Sequence, residues 1–216
     1  VSTMLTIWGR KTSSNVQALM WCVDELGLPY LRHDLGHRFG GLDDAAFRRL
    51  NPNGTIPVLQ DGDEPPLWET GAILRYLATC YGDEDFWPSK PIARAHVDRW
   101  AEWAKINVAM QFTVPVFWRV VRTPPVQQDT AAITAAVENL ETRLSIAAHQ
   151  LTIHPYLAGT RFTLADIQLG HILYRYFDIS ITRADLPALR EYYDRLTQRP
   201  AFRAHVMIDY DDLRVP

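Results

Sequence analysis

Only two cysteines, Cys22 and Cys80, occur in 216 residues. They are too few for a disulfide framework, and their spacing is not that of a metal motif, so no metal is expected. That scarcity fits a reducing, cytoplasmic setting. Charges interrupt every apolar run well short of the roughly 18 residues of a membrane span, so no membrane partner is expected. No charge of one sign dominates: 22 Lys and Arg against 25 Asp and Glu give a net charge of −3. Without a basic run interleaved with aromatics, no nucleic-acid surface is read. Val1 to Leu5 lacks a charged region followed by an apolar core, so no secretory signal is read either. Repeats and low-complexity stretches are absent. The glycine-rich loop from Gly36 to Gly41 lacks G-x-G-x-x-G and receives no phosphate-binding role. What is left is globular composition, 47% hydrophobic and 22% charged, long enough for one substantial core or two smaller ones.

The local patterns then order the chain. Met4 to Trp8 alternates as a half-buried strand, and Gly9 to Asn15 follows as a polar turn. Val16, Leu19, Met20, Val23 and Leu26 recur at helical spacing until Gly27, and Tyr30 to Leu35 reads as a second, parallel strand. Leu42 to Leu50 reads as a short helix. Ile56 to Leu59 is a short strand with Pro57 at its mouth, where a residue without an N–H is tolerated. Asp61-Gly62 reads as a hairpin turn with Leu67-Trp68 returning. Glu69-Thr70 opens a helix carrying Ala72, Ile73, Tyr76 and Leu77 on one side. The order βαβ-α-ββα is a thioredoxin-like arrangement.

After the Gly, Asp, Glu and Pro mixture of Tyr81 to Pro91, strand signals stop. Ile92 to Val121 reads as a long helix that Pro115 should kink or end. Another long helix enters near Asp129-Thr130. In Phe162-Thr163-Leu164-Ala165-Asp166-Ile167, a hydroxyl cap, an acid three residues on and flanking apolar residues mark a helix start, with a structural role for Asp166. Leu186-Pro187 opens one more helix. The fold class is therefore an α+β two-domain chain, divided as 1–81, a linker 82–91 and an all-helical bundle 92–216.

The run Asn51-Pro52-Asn53-Gly54-Thr55-Ile56-Pro57-Val58-Leu59, a hairpin, Trp68-Glu69-Thr70 and the Ala72-Ile73…Tyr76-Leu77 helix together resemble the glutathione-binding half of cytosolic glutathione transferases. The stretch around Phe117 to Pro125 and the Thr163/Asp166 cap are similar to the helical half of bacterial, serine-type members of theta or nu kind. The resemblance implies a cis-proline at Pro57, with the backbone of Ile56 pairing with the cysteinyl unit of glutathione. It also implies that Glu69 and Thr70 hold the γ-glutamyl end, and that the protein is a homodimer. Arg75, Arg94 and Asp98 are then candidate contacts across a two-fold interface.

Free thiols have a pKa of about 8.5, so a transferase must raise the thiolate fraction of its co-substrate. A hydroxyl donor at a helix N-terminus does this. The turn before the first helix supplies Ser13, Ser14 and Asn15; the register of the serine-type family selects Ser13, while Ser14 or Asn15 is also placed to cap the helix. No Cys stands in this turn, which excludes a Cys-x-x-Cys redox site and a cysteine-type transferase. Cys22 reads as core, and Arg10 and Lys11 are left unassigned. A small apolar electrophile is expected between the two halves, against Trp8, Phe112, Phe117, Trp118, His171 and Tyr174. The alternatives are a glutathione-dependent isomerase or lyase, or a non-catalytic interaction protein on the same fold.

Overall fold

The computed structural model describes residues 4–216; Val1 to Thr3, where most of the stretch read for a secretory signal falls, lie outside the described residues. Strand β1 (Leu5–Trp8) buries Leu5 and Ile7 and leaves Thr6 and Trp8 half-covered, the alternation of a sheet whose two faces meet different neighbours. Helix α1 (Ser14–Glu25) returns the chain to β2 (Tyr30–His33), which pairs parallel with β1. A 3₁₀ turn (His37–Phe39) and α2 (Ala45–Leu50) lead to β3 (Val58–Asp61) and β4 (Leu67–Trp68). Both β1–β3 and β3–β4 are antiparallel, giving the sheet order β2-β1-β3-β4, and α3 (Thr70–Tyr81) completes the thioredoxin-like half. Strand β2 stops at His33 rather than Leu35. Helix α2 starts at Ala45, not Leu42, because Leu42 and Asp43 form a turn and Asp44 is an N-cap with extended backbone (φ −63°, ψ 135°).

Segment 82–90 is not loosely tethered. Phe86 and Trp87 are buried, and the Trp87 indole donates to Thr79 Oγ1 at 3.1 Å. Helix α4 (Pro91–Ala104) follows, continued without a break by a π turn (Lys105–Ala109), α5 (Met110–Phe112), a second π turn (Thr113–Trp118) and α6 (Arg119–Val121). The expected interruption at Pro115 takes this form: the wider π register carries a residue without an N–H, and the helix runs on. Helix α7 (Thr130–Ile153) is capped by Asp129, whose Oδ1 accepts from Ala132 N at 2.9 Å.

Helix α8 (Leu164–Gly170) is the central element, every residue buried and packed on α1, α3 and α4. Its fully buried Leu164, Ile167 and Leu169 each contribute about 1.5 to 3 kcal/mol of apolar burial. Gly170 admits this packing, since a Cβ there would come within 2.8 Å of Trp21 on α1. Helices α9 (Leu173–Asp178), α10 (Pro187–Leu196) and α11 (Pro200–His205) close the bundle. Arg199, just before α11, makes a two-pronged ion pair with Glu25 on α1 at 2.6 and 2.8 Å, joining the halves.

The charges expected at a two-fold interface have partners inside the chain. Arg75 pairs with Asp98 at 2.8 Å and Glu102 at 2.5 Å, fastening α3 to α4. Arg94 donates to the Pro88 carbonyl at 2.8 Å and lies over Trp87. Among the described residues no helix is long and apolar enough to cross a membrane.

Candidate active site

Ser13 is the N-cap of α1, with extended backbone (φ −75°, ψ 126°) and a carbonyl that accepts from Gln17 N at 2.9 Å. Its hydroxyl makes no capping bond. Ser14 and Asn15 are the first and second helical residues, so neither is the N-cap, and no side chain caps this end of α1. The first turn of α1 carries no acid, so the positive end of a twelve-residue helix is left uncompensated beside a half-buried, unengaged hydroxyl.

The turn is shaped by close approach. A Cβ on Gly9, whose φ is +149°, would come within 2.5 Å of Val16 Cγ2 and 3.3 Å of the Ile56 side chain. Glycine therefore lets the end of β1, the start of α1 and the mouth of β3 converge. At that mouth the Ile56–Pro57 bond is cis. Asn51, buried, holds the preceding loop through Nδ2 bonds to the Thr55 carbonyl (2.8 Å) and hydroxyl (3.1 Å), while its Oδ1 accepts from Asn53 N at 3.0 Å. Gly54 stands at φ +63°, where a Cβ would meet the Arg48 guanidinium at 2.6 Å. Among the described residues the backbone of Ile56 has no hydrogen-bond partner, so one strand-like edge stays open.

Glu69, the N-cap of α3, has φ 69° and ψ 113°. A non-glycine residue there costs on the order of 1 to 3 kcal/mol, and such residues cluster where a ligand is held. Its exposed carboxylate makes no capping bond, while Thr70 beside it is buried.

The helical half adds cations. Lys105, at the start of the first π turn, donates from Nζ to Asn15 Oδ1 at 2.6 Å. Burial holds its pKa below the ordinary lysine value, opposed by the charge of Glu69. Arg175 on α9, buried, donates from Nη2 to the Thr12 carbonyl at 2.7 Å, with its guanidinium over the rings of Phe117 (4.6 Å) and Tyr210 (5.3 Å). Its Nε has no partner, and burial pushes its pKa down to about 10. Arg10 also keeps a buried, unpartnered Nε, and its pKa is lowered by burial and then by Arg122. Burial, with Lys105 second, pushes His171 down to about 3, so its imidazole is neutral at pH 7.

Sequence reasoning missed Lys105 and Arg175 and left Arg10 unassigned. A lone cation inside the aromatic run Tyr174-Arg175-Tyr176-Phe177 was the available signal for Arg175. Lys105 had none, because a lysine near Glu102 and Asn107 reads as a solvated helix face.

The aromatic candidates divide. Trp8 points away from the turn, stacking on His33 at 5.9 Å and facing Phe47 and Leu50 of α2 across a groove; successive strand residues face opposite sides, and Ile7 took the core side. Phe112 and Phe117 are core, tilted against one another at 5.9 Å. Trp118 is exposed with Arg122 over its ring, Tyr174 is half-buried against Tyr210, and His171 is buried at the end of α8. Cys22 is core, its thiol pushed up by burial. A cavity of about 520 Å³ between Tyr81, Phe86, Tyr156 and Phe162 sits at the far end of α1, roughly 18 Å from Ser13 by helix rise. Two ion pairs cross its lining, Glu25 with Arg199 and Asp85 with Arg161, and Asp83 accepts from Phe86 N.

A half-buried hydroxyl at a helix start, a cis-proline strand mouth and an acid at positive φ thus converge on one edge of the thioredoxin-like half. Known proteins match most of the chain's length. Residues 12–80 match the family described as "Glutathione S-transferase, N-terminal domain", and residues 106–200 match "Glutathione S-transferase, C-terminal domain". The chain is 36% identical over 206 residues to glutathione S-transferase GstB of Escherichia coli K12, covering 95% of this chain and 99% of that one. It is 31% identical over 212 residues to glutathione S-transferase 3 of Zea mays, covering 94% and 93%. The theta class glutathione S-transferase of Xanthomonas axonopodis pv. citri, solved with glutathione bound, superposes with a TM-score of 0.90 at 44% identity, covering 96% of this chain and 99% of that one. With both halves matched in order and relatives aligned nearly end to end, the chain belongs to the glutathione S-transferase family.

Proposed function

We propose that this enzyme binds glutathione along the open edge at Ile56 and Pro57, with Glu69 and Thr70 receiving the γ-glutamyl end and the sulfur directed at Ser13. The observation that carries this reading is the unengaged Ser13 hydroxyl at an α1 N-terminus without an acid. Any group that fills this place gains a hydroxyl donor and the positive end of a helix, which together favour an anion. A thiolate meets that description. Ser13 donates to sulfur, the thiol proton leaves to solvent, and the sulfur lone pair forms a C–S bond to an electrophile held on the side of the helical half, whose leaving group departs with its bonding pair, as halide does from an aryl halide. Residues 1–81 then carry the glutathione site and residues 92–216 the electrophile site, with Trp118, Tyr174 and His171 the candidates on that side. Glutathione is a co-substrate in this reading, and no step calls on a metal. A two-fold homodimer through α3 and α4 and a cytoplasmic location complete the proposal; a monomer by light scattering at micromolar concentration would refute the former.

Retention on immobilised glutathione followed by conjugation to an activated aryl halide tests the reading. Glu69→Ala should weaken glutathione binding roughly tenfold or more, the value of one charge-assisted hydrogen bond. A parent protein that neither binds nor conjugates glutathione would overturn it.

A further inference from the structure

Lys105 occupies an electrostatically odd position. Its ammonium lies 2.6 Å from Asn15 Oδ1, at the second residue of α1 and therefore against the positive end of that helix. A cation at a helix N-terminus is disfavoured. No carboxylate lies within ion-pair distance of it among the described residues; Glu69 favours its charge without pairing with it. Of the three donors an ammonium carries, Asn15 takes one. The backbone delivers Lys105 here deliberately: the helix widens into a π turn at this residue, a distortion often found at functional sites. A cation and a helix N-terminus facing one another become mutually favourable once an anion lies between them.

We propose that Lys105 is that anion's second stabiliser: it reaches from the helical half to the sulfur of glutathione and, with Ser13, holds it as thiolate. This rests on glutathione being bound as proposed above. The thiol proton passes to water, Lys105 keeps all three of its protons, and the electron pair stays on sulfur for attack. The groups facing this ammonium are Asn15 on α1, Glu69 before α3 and His171 at the end of α8, with Arg10 and Arg175 flanking the same turn. Glu69 is the anion among them and Asp212 acts on Arg10 and Arg175, so three cations face two carboxylates and the local field favours thiolate.

Ultraviolet titration of the bound thiolate tests this on the parent, Lys105→Met, Lys105→Gln and Lys105→Arg. Glutamine still donates to Asn15 and so separates the charge from the tether. Both neutral variants should raise the bound thiol's pKa by about one unit or more, as loss of an adjacent opposite charge does, while arginine leaves it near the parent value. Turnover at pH 6.5 should fall about tenfold in the neutral variants and recover toward pH 9, with KM for glutathione little changed. An unshifted pKa in Lys105→Gln, or an effect confined to KM, overturns the inference while leaving the transferase reading standing. Failure of the parent to bind glutathione removes both.

Discussion

Ser13 and Thr163 each stand at the N-cap of a buried helix, and their surroundings put the two hydroxyls to different uses. Thr163 is buried within a closed network. Asp166 Oδ2 accepts from Thr163 N at 2.8 Å and from its hydroxyl at 3.3 Å, and Oδ1 accepts from Leu157 N at 2.9 Å and Tyr192 OH at 2.8 Å. Every lone pair is spent on the fold. Ser13 has Val16 where Thr163 has Asp166, so no capping box can form and the hydroxyl keeps its hydrogen-bonding capacity. The same residue chemistry is structural where an acid three residues on consumes it, and open to a ligand where that acid is missing.

Asp166→Asn attacks the closed end and should have the largest effect. An amide offers one acceptor oxygen where the carboxylate used two, so buried donors are orphaned and about 3 to 5 kcal/mol of stability is lost. Urea denaturation should show it, with turnover per folded molecule unchanged; parent-like stability would break the contrast. Ser13→Ala attacks the open end. It should cost about 2 to 4 kcal/mol of transition-state stabilisation and less than about 0.5 kcal/mol of stability, because there is no cap bond to lose. Ser14→Ala should be milder in conjugation. If Ser14→Ala instead raises the bound thiol's pKa and Ser13→Ala does not, the catalytic hydroxyl is the neighbour's.

The smallest effect is pH-dependent and compares the two ends of α8 itself. His171, at its C-terminal end, has its pKa pushed from 6.5 down to about 3, chiefly by burial and next by Lys105. Between those values the unfolded chain binds a proton that the folded chain refuses. Stability is therefore full above pH 6.5 and declines as pH falls toward 3, by about 2 kcal/mol at pH 5. Asp166, at the N-terminal end, is raised from 3.8 to about 6 by burial, against the hydrogen bonds it accepts. The folded state holds that proton more tightly between 3.8 and 6, so acidification to pH 5 returns roughly 1 kcal/mol. The parent should lose about 1 kcal/mol between pH 7 and pH 5, whereas His171→Gln should lose none or gain. Urea midpoints at the two pH values decide it.

The capping box was legible from four residues, because its bonds join neighbours in sequence; the hairpin was legible too, but Asp61 is the last residue of β3, paired with Leu5, and the connection runs over 62–66. The strand mouth at Pro57 was legible as well: proline's missing N–H restricts where it can stand whatever surrounds it. Element order followed from periodicity, and the thioredoxin-like half with its helical partner followed from that order. The electrophile side was least legible. Helical spacing places Phe112, Phe117 and Trp118 on a helix without saying which way it faces once two π turns have rotated it, and Trp8, offered as a lining residue between the halves, faces α2.

By itself, then, the sequence determined the element order of the thioredoxin-like half, the Thr163/Asp166 cap, and the positions of Ser13, Pro57 and Glu69 at the ends of α1, β3 and α3 that form the candidate edge, all written in interactions a few residues long. Tertiary structure alone decided which cations join that edge. Lys105 meets Asn15 across 90 residues and Arg175 meets Thr12 across 163. Charged side chains in solvent and charged side chains turned inward look alike in a sequence, and only the approach of the first π turn and of α9 to the start of α1, with α8 packed on that helix, removes the water that would otherwise screen them.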